Sequence, residues 1–213
     1  MPTHTTSPET PSPGIISLLS ADRHLDLGCG AKPRNPYRRT TLYGVDIAPS
    51  QASAPAEIRQ ANLSLVPIPF DDGYFQSVSA YDFLEHVPRI LPCVGGHGTR
   101  FPFIELMNEI WRVLAPGGLF YAQTPAYPHA TAFQDPTHVN ILTDESHTYF
   151  TQPQLMARMY GFTGTFALVR SVRNRQEFEY EPPNPNWMRR IRLRQRVRRG
   201  AASHLIWEFQ AVK

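Results

Sequence analysis

Cysteines and long apolar runs are both scarce in this chain of 213 residues. No apolar stretch approaches the roughly 18 residues that a membrane-spanning helix requires, so we expect no stable insertion into a membrane. The two cysteines, Cys29 and Cys93, are too few for a disulfide framework. A reducing compartment, the cytoplasm, is therefore the expected location.

Charged residues are also infrequent, at 18% of the chain, and acidic residues are missing from one basic segment. The segment from Arg189 to Arg199 holds seven arginines. Without those seven charges the formal net charge of +3 becomes −4, so the basic character of the protein belongs to this one segment. Nucleic-acid binding therefore does not follow from the overall charge.

Proline is abundant instead, with 21 residues. Residues 1–13 are rich in Pro, Ser and Thr and nearly free of apolar side chains, which predicts a disordered leader. The remaining residues, 14–213, are numerous enough for one domain with a sizeable core. We expect a single folded domain there, with a basic insertion at 174–200 between its last two strands.

Short apolar blocks bounded by Gly, Pro and Asp predict a series of strands. They lie at residues 22–27, 41–47, 57–63, 75–81, 119–123, 166–172 and 205–212. Apolar residues at helical spacing predict a helix over 101–114, and a second helix is predicted over 144–160. Strands that alternate with helices indicate an α/β fold with a mainly parallel sheet.

A glycine-containing turn, Asp26–Gly30, follows the first predicted strand. Its two glycines allow the backbone to approach a ligand closely. Pro33 stands where a dinucleotide-binding turn has its third glycine, which argues against a nicotinamide cofactor. Asp46 comes at the end of the second strand, where a carboxylate can accept both hydroxyls of a ribose.

These motifs occur in order with three others, at residues 69–71, 84–86 and 114–118. Together they resemble the class I S-adenosylmethionine-dependent methyltransferases, and more narrowly the broad branch that methylates small molecules. The resemblance covers residues 20–213 and implies a Rossmann-like, doubly wound sheet of seven strands, mainly parallel with an antiparallel last strand. It implies S-adenosylmethionine as the cofactor. Pro36 departs from the family pattern, because a proline there leaves the usual first helix shortened or absent.

The resemblance also implies a set of cofactor contacts at the ends of the first four strands. The expected residues are Asp26, Gly28, Gly30, Asp46, Ile47, Asn62, Leu63 and Tyr81. Asp26 is expected near the methionine part of the cofactor, and Asp46 at its ribose. Asn62 and Leu63 are expected at the adenine, and Tyr81 near the sulfonium.

Methyl transfer to a hydroxyl also requires removal of its proton, by a base or through a metal that lowers the pKa of the hydroxyl. Asp82, Glu85 and His86 follow the fourth strand, and a helical turn there would place them on one face. His138 follows the fifth strand, so we expect it at the same edge of the sheet. The four side chains predict a site for Mg²⁺ or a similar divalent ion, and the donor types also suit Mn²⁺, Fe²⁺ or Zn²⁺.

This pattern is similar to an E-x-x-E-H motif followed by a later histidine in two methyltransferase groups. These are the ubiquinone-pathway O-methyltransferases and the small-RNA 3′-terminal ribose methyltransferases, which use a divalent metal there. Asp82 stands in place of their first glutamate. The alternative is a metal-free site in which His86 or His138 acts as the general base.

The sequence therefore predicts an S-adenosylmethionine-dependent methyltransferase that O-methylates a small molecule or a glycan intermediate. One alternative is 2′-O-methylation of RNA ribose, which the stretch His138–Thr143 and the arginine segment favour. Another is a protein that binds S-adenosylmethionine without catalysis and acts on a partner. The arginine segment, with Trp187 and Ile191 on one helical face, predicts a basic amphipathic helix. Its expected partner is an anionic lipid surface or RNA, and the alternative is pairing with acids elsewhere on the chain.

Overall fold

The computed structural model describes residues 22–49, 56–93, 95–176, 180 and 187–213. The predicted leader at 1–13 and the predicted domain start at residue 14 lie outside the described residues, as does part of the 174–200 insertion. Those domain boundaries therefore stay predictions.

Seven strands form one sheet. In chain order they are β1 (Arg23–Leu27), β2 (Thr41–Asp46), β3 (Glu57–Gln60), β4 (Phe75–Tyr81), β7 (Leu114–Pro125), β8 (Phe166–Asn174) and β9 (His204–Ala211). Their order across the sheet is β3-β2-β1-β4-β7-β9-β8. Neighbours from β3 to β7 pair in parallel, whereas β9 runs antiparallel between β7 and β8. The predicted Rossmann-like, doubly wound α/β sheet with an antiparallel last strand is confirmed.

Among the described residues, two further strands and three α-helices lie outside this sheet. The strands β5 (Leu91–Pro92) and β6 (Thr99–Arg100) pair with each other. The helices are α1 (Pro102–Val113), α2 (Thr131–Gln134) and α3 (Trp187–Arg198). Across the described ranges, no helix combines the length and the apolar character that a transmembrane span needs.

One face of the sheet carries the main apolar core. Helix α1 begins with a proline, whose missing N–H is not needed in the first helical turn. Its buried side includes Met107 and Ile110, which pack in one cluster with Leu25, Val78 and Phe120 from the central strands. The helix ends where Leu114 turns into β7. The predicted helix over 101–114 therefore agrees with the structure to within a residue at each end.

The opposite face of the sheet is buried and carries polar side chains beside a smaller apolar cluster. His24 on β1 places one ring nitrogen 2.8 Å from the hydroxyl of Ser77 and the other 2.8 Å from that of Ser79, both on β4. Further along, Glu208 on β9 accepts a hydrogen bond from the hydroxyl of Tyr37 at 2.7 Å. This contact ties the loop between β1 and β2 to the sheet.

Prolines explain two places where helices are missing. Residues 28–40, between β1 and β2, form turns and loops without a helix, as expected from Pro36. The predicted helix over 144–160 was wrong. Two short 3₁₀ turns, Asp144–Tyr149 and Met156–Tyr160, replace it, because Pro153 between them has no N–H and clashes with a preceding helical turn.

Candidate functional site

The candidate site lies at the carboxyl edge of the parallel strands. In the register of the sheet, Leu27 at the end of β1 is opposite Ala80 on β4, and Tyr81 at the end of β4 is opposite Gln123 on β7. The segments that follow these three strands therefore leave the sheet side by side. Ligands of open α/β sheets bind at this edge.

The turn after β1 requires its glycines for two different reasons. Gly28 has a φ of 65°, and a Cβ at this position would lie 2.6 Å from the ring of Phe83. Gly30 has a φ of 57°, and a Cβ there would have nothing within 4 Å. The backbone at Gly30 therefore faces open space, where a ligand can approach it directly.

Asp46 is held against this turn. Its Oδ2 accepts the backbone N–H of Gly30 at 2.8 Å, and its Oδ1 accepts that of Ala48 at 2.9 Å. The carboxylate is half-buried and retains lone pairs beyond these two bonds. The next residue, Ile47, is exposed. The structure thus brings Gly30, Asp46 and Ile47 together at the end of β2.

The remaining predicted cofactor residues are more enclosed. The side chain of Asn62 accepts the backbone N–H of Ser64 at 3.1 Å, and Leu63 is buried. Tyr81 is buried as well, and the guanidinium of Arg34 lies 4.5 Å from the centre of its ring. A cleft of about 550 Å³ opens beside it. The cleft is lined by Arg34, Asn35, Pro36, Tyr37, Arg38, Tyr81 and Tyr180.

Asp26 is also enclosed and bonds to the protein itself. Its Oδ1 accepts the hydroxyl of Ser79 at 2.6 Å, and its Oδ2 accepts the backbone N–H of Arg34 at 2.7 Å. Burial raises the pKa of the carboxyl to about 7, although both hydrogen bonds act in the opposite direction. Asp26 therefore fixes the loop after β1 against β4.

A second group of side chains meets where the segments after β4 and β7 touch. Glu85, His86 and His138 each bring one ligand-type atom to within 4.8 Å of the others. Thr124 donates its hydroxyl hydrogen to Oε2 of Glu85 at 2.9 Å, and Nε2 of His138 lies 4.0 Å from Oε1. That Oε1 is buried and accepts no hydrogen bond from any described residue. Burial raises the pKa of Glu85 to about 8.

Hydrogen bonds orient both imidazole rings of this cluster. Thr137 donates its hydroxyl hydrogen to Asp135 at 2.7 Å, so its oxygen accepts from Nδ1 of His86 at 2.8 Å. Nδ1 of His138 lies 3.3 Å from the carbonyl oxygen of Ala132, which can only accept. In the neutral rings Nε2 is therefore the atom that carries the free lone pair. Such outer partners are typical of histidines that bind metals or transfer protons.

The backbone holds the cluster together. The carbonyl oxygen of Glu85 accepts the N–H groups of Val139 and Asn140, both at 2.9 Å. The side chain of Asn140 donates to the carbonyl oxygen of Leu84 at 3.1 Å and accepts from Nε of Arg89 at 2.7 Å. These bonds fix the 3₁₀ turn Leu84–His86 against the residues that follow His138.

Asp82 does not join this cluster. The helical turn over residues 82–86 on which the expected grouping relied does not form, since the turn begins at Leu84 and Asp82 has a φ of 49°. The carboxylate instead accepts a hydrogen bond from Gln176 at 2.7 Å and lies 3.2 Å from Nε2 of His204. These contacts lower the pKa of Asp82 although burial opposes them. The structure thus groups three of the four predicted metal-site residues.

Sequence reasoning missed His204 as a neighbour of the site. His204 begins β9, and the antiparallel pairing of β9 with β7 brings it to this edge. Asp135 and Thr137 precede His138 by only a few residues. The stretch Asp135–His138 was therefore a local signal for the hydrogen bond that orients the ring of His86.

The comparison with protein families agrees with this geometry. A family model described as "Methyltransferase domain" matches residues 25–122, from β1 into β7. Residues 25–122, a little under half of the chain, are thus similar to a methyltransferase domain. The family uses S-adenosylmethionine, and methyl transfer is its activity. No curated protein sequence matches the chain.

Solved structures share the fold of this chain at low sequence identity. A chain of the complex between the Haloferax volcanii Trm112 methyltransferase activator and a methyltransferase is 15% identical, with a TM-score of 0.54 and coverage of 94% of this chain and 89% of that chain. A SAM-dependent methyltransferase from Archaeoglobus fulgidus is 13% identical, with a TM-score of 0.51 and coverage of 92% and 89%. The [4+2]-cyclase SpnF is 15% identical, with a TM-score of 0.53 and coverage of 90% and 75%. The fold is thus shared with a protein that carries out a different reaction.

Asp26 should make the stability of the domain depend on pH. Burial raises the pKa of the Asp26 carboxyl to about 7 from the ordinary 3.8. Between these two pH values the carboxyl therefore keeps its proton in the folded state and releases it in the unfolded state. The free energy of unfolding should therefore fall as the pH rises from 4 through 7. Asp26→Asn should remove at least about 1 kcal/mol of that fall, measured by urea unfolding across this range.

The exposed carboxylate of Asp71 provides the control for this measurement. Asp71→Asn should leave the slope of stability against pH as it is in the unmodified protein. An unchanged slope in Asp26→Asn would show that Asp26 is not the group that titrates.

Proposed function

We propose that this protein transfers the methyl group of S-adenosylmethionine to a hydroxyl oxygen of a small molecule or a glycan intermediate. The observation that carries the proposal is the cluster of the buried Glu85 with the half-buried His86 and His138 at the carboxyl edge. A hydroxyl acceptor must lose its proton during the transfer, and this cluster offers the groups that such a loss needs. A cytoplasmic location stays a prediction from the sequence.

The residues at the ends of β1 and β2 fit the cofactor. The backbone at Gly30 is open on the side where a Cβ would lie, and the half-buried carboxylate of Asp46 sits directly against it. Asp46 would hold the ribose hydroxyls, with Gly28 and Gly30 supporting the methionine part and Ile47 beside the ribose. Asn62, Leu63 and Tyr81 would complete the pocket at the adenine and near the sulfonium. When bound, S-adenosylmethionine supplies the methyl group.

Asp26 has a different role in this proposal from the one expected from the sequence. Both of its oxygens accept hydrogen bonds from the protein, and the residue is 2% exposed. We assign it to positioning the Gly28–Gly30 turn.

The cluster also fits a divalent metal ion. Oε1 of Glu85 is a buried carboxylate oxygen without a hydrogen-bond donor among the described residues, and burying such an atom costs stability unless a partner arrives. Glu85, His86 and His138 would hold the ion, which would lower the pKa of the acceptor hydroxyl. Two imidazoles and one carboxylate suit Mn²⁺, Fe²⁺ or Zn²⁺ better than Mg²⁺, which prefers oxygen ligands. Because Asp82 lies outside the cluster, we favour Mn²⁺, Fe²⁺ or Zn²⁺ over Mg²⁺ as the ion at this site.

A metal-free mechanism uses the same residues. Nε2 of His138 carries the free lone pair and faces Glu85, so His138 would accept the proton of the acceptor hydroxyl. His86 would serve in the same way. The rate would then depend mainly on holding the hydroxyl oxygen in line with the methyl group.

The cleft beside Tyr81 supports a small acceptor. Its volume of about 550 Å³ is of the size usual for small-molecule sites, and tyrosines and arginines line it. Methylation of RNA ribose is the second candidate, favoured by the arginines of α3. Binding of the cofactor without catalysis is the third. A buried carboxylate oxygen that no described residue partners weighs against it, because a scaffold would gain nothing from that cost.

Asp46→Ala should weaken the binding of S-adenosylmethionine by about tenfold or more, because two hydroxyls would lose a charged hydrogen-bond acceptor. Calorimetric titration measures the affinity directly. Glu57→Ala removes an exposed carboxylate from the neighbouring strand and should bind the cofactor normally. An unchanged affinity in Asp46→Ala would mean that the ribose assignment is wrong.

The metal question is decided by titrating Mn²⁺ and Zn²⁺ into the chelator-treated protein and by measuring activity in parallel. Glu85→Gln and His138→Ala should each reduce metal affinity at least about tenfold, whereas the control Asp82→Asn should keep it. Activity is read as products heavier by one methylene, detected by mass spectrometry after incubation of the protein and S-adenosylmethionine with cell extract.

Activity that is lost after chelation and restored by the metal supports the metal mechanism. Full activity in the stripped protein, with loss of turnover in His138→Ala, supports the metal-free base instead. If His138→Ala and Glu85→Gln both retain full turnover, the cluster is not the reaction centre.

A further inference from the structure

Helix α3 presents positive charges that the described part of the protein does not neutralise. The helix and the residue after it contain seven arginines and no acid. Five of these side chains make no hydrogen bond or ion pair with any described residue: Arg190, Arg192, Arg194, Arg198 and Arg199. Pairing with acids of the described residues therefore does not account for them. Neighbouring cations of this density repel one another, so an anionic partner would stabilise the segment.

The same helix exposes large apolar side chains. Trp187 is 70% exposed, Met188 49% and Ile191 45%. Trp187 and Ile191 share one helical face with Arg194 and Arg198, at positions i, i+4, i+7 and i+11. This outward face is therefore both apolar and cationic.

The opposite side of α3 faces the protein. Leu193 and Arg196 are less exposed than their neighbours, and the helix lies beside β8, the edge strand of the sheet. The outward face defined by Trp187, Ile191, Arg194 and Arg198 is thus the side that a partner can reach.

We propose that this outward face binds the surface of a bilayer that contains anionic lipids. Arginines attract the headgroups, and the tryptophan and aliphatic side chains interleaved with them can be buried at the acyl boundary of the same interface. An RNA backbone would use the arginines, and a base could stack on Trp187, but neither would cover Met188 and Ile191. The exposed apolar side chains therefore favour lipid over RNA.

The position of α3 relates this surface to the candidate site. The helix ends at Arg198, and β9 begins at His204, opposite Pro125 at the end of β7. His204 in turn lies 3.2 Å from Asp82, at the carboxyl edge of the sheet. A bilayer bound by α3 would lie near the edge where the candidate site opens, within reach of an acceptor in or on the membrane.

Co-sedimentation of the full-length protein with vesicles tests the proposal. We expect binding to vesicles of phosphatidylcholine mixed with phosphatidylglycerol at low salt, and little binding to phosphatidylcholine alone or at high salt. Arg194→Gln/Arg198→Gln should weaken binding about 20-fold, since each arginine near an anionic surface contributes appreciably. Trp187→Ala/Ile191→Ala should weaken it about tenfold or more.

Matched variants separate the surface from general charge and folding effects. Arg194→Lys/Arg198→Lys keeps the charge and should bind normally. Arg23→Gln/Arg59→Gln removes the same charge from β1 and β3, away from α3, and should also bind normally. A blue shift of the fluorescence on vesicle binding that is absent in Trp187→Phe would place Trp187 at the interface.

Three results would overturn the proposal. The first is no binding to anionic vesicles at low salt. The second is equal binding by the α3 variants and by the Arg23→Gln/Arg59→Gln control. The third is binding of a single-stranded RNA oligomer that the α3 variants lose while their vesicle binding is unchanged, which would assign the surface to RNA.

Discussion

The candidate site depends on two backbone hydrogen bonds to the carbonyl oxygen of Glu85, donated by Val139 and Asn140. They join the segment after β4 to the segment after β7, which are far apart in sequence. His138 directly precedes the donors, so the same bonds bring its ring to the carboxyl of Glu85. Without them the buried carbonyl and the two N–H groups would lose their partners, and each such loss costs about 1–3 kcal/mol.

Burial then determines the chemistry of the cluster. Enclosure raises the pKa of Glu85 to about 8, and it leaves Oε1 without a donor in the described part of the chain. Threonine and carbonyl partners fix both imidazoles with Nε2 free. A protein that needed only a stable fold would gain nothing from this arrangement, whereas a local departure from full hydrogen bonding is usual at functional sites.

The sheet and its carboxyl edge could be predicted from sequence, because apolar blocks and glycine turns are local signals. The missing first helix followed from Pro36 in the same way. The predicted grouping of Asp82 with Glu85 and His86 was wrong, since it assumed helical spacing where the backbone has a positive φ at Asp82. Its actual neighbour, His204, arrives through the pairing of β9 with β7, and no local pattern encodes that contact.

The central claim is that Glu85, His86 and His138 form the reaction centre, with Asp82 outside it. Anomalous diffraction from crystals of the protein soaked in Mn²⁺ tests this claim most directly. The account predicts a peak within about 2.3 Å of Oε1 of Glu85 and of a ring nitrogen of both histidines. A peak bound by Asp82 and His204 instead, with none at the cluster, would contradict it.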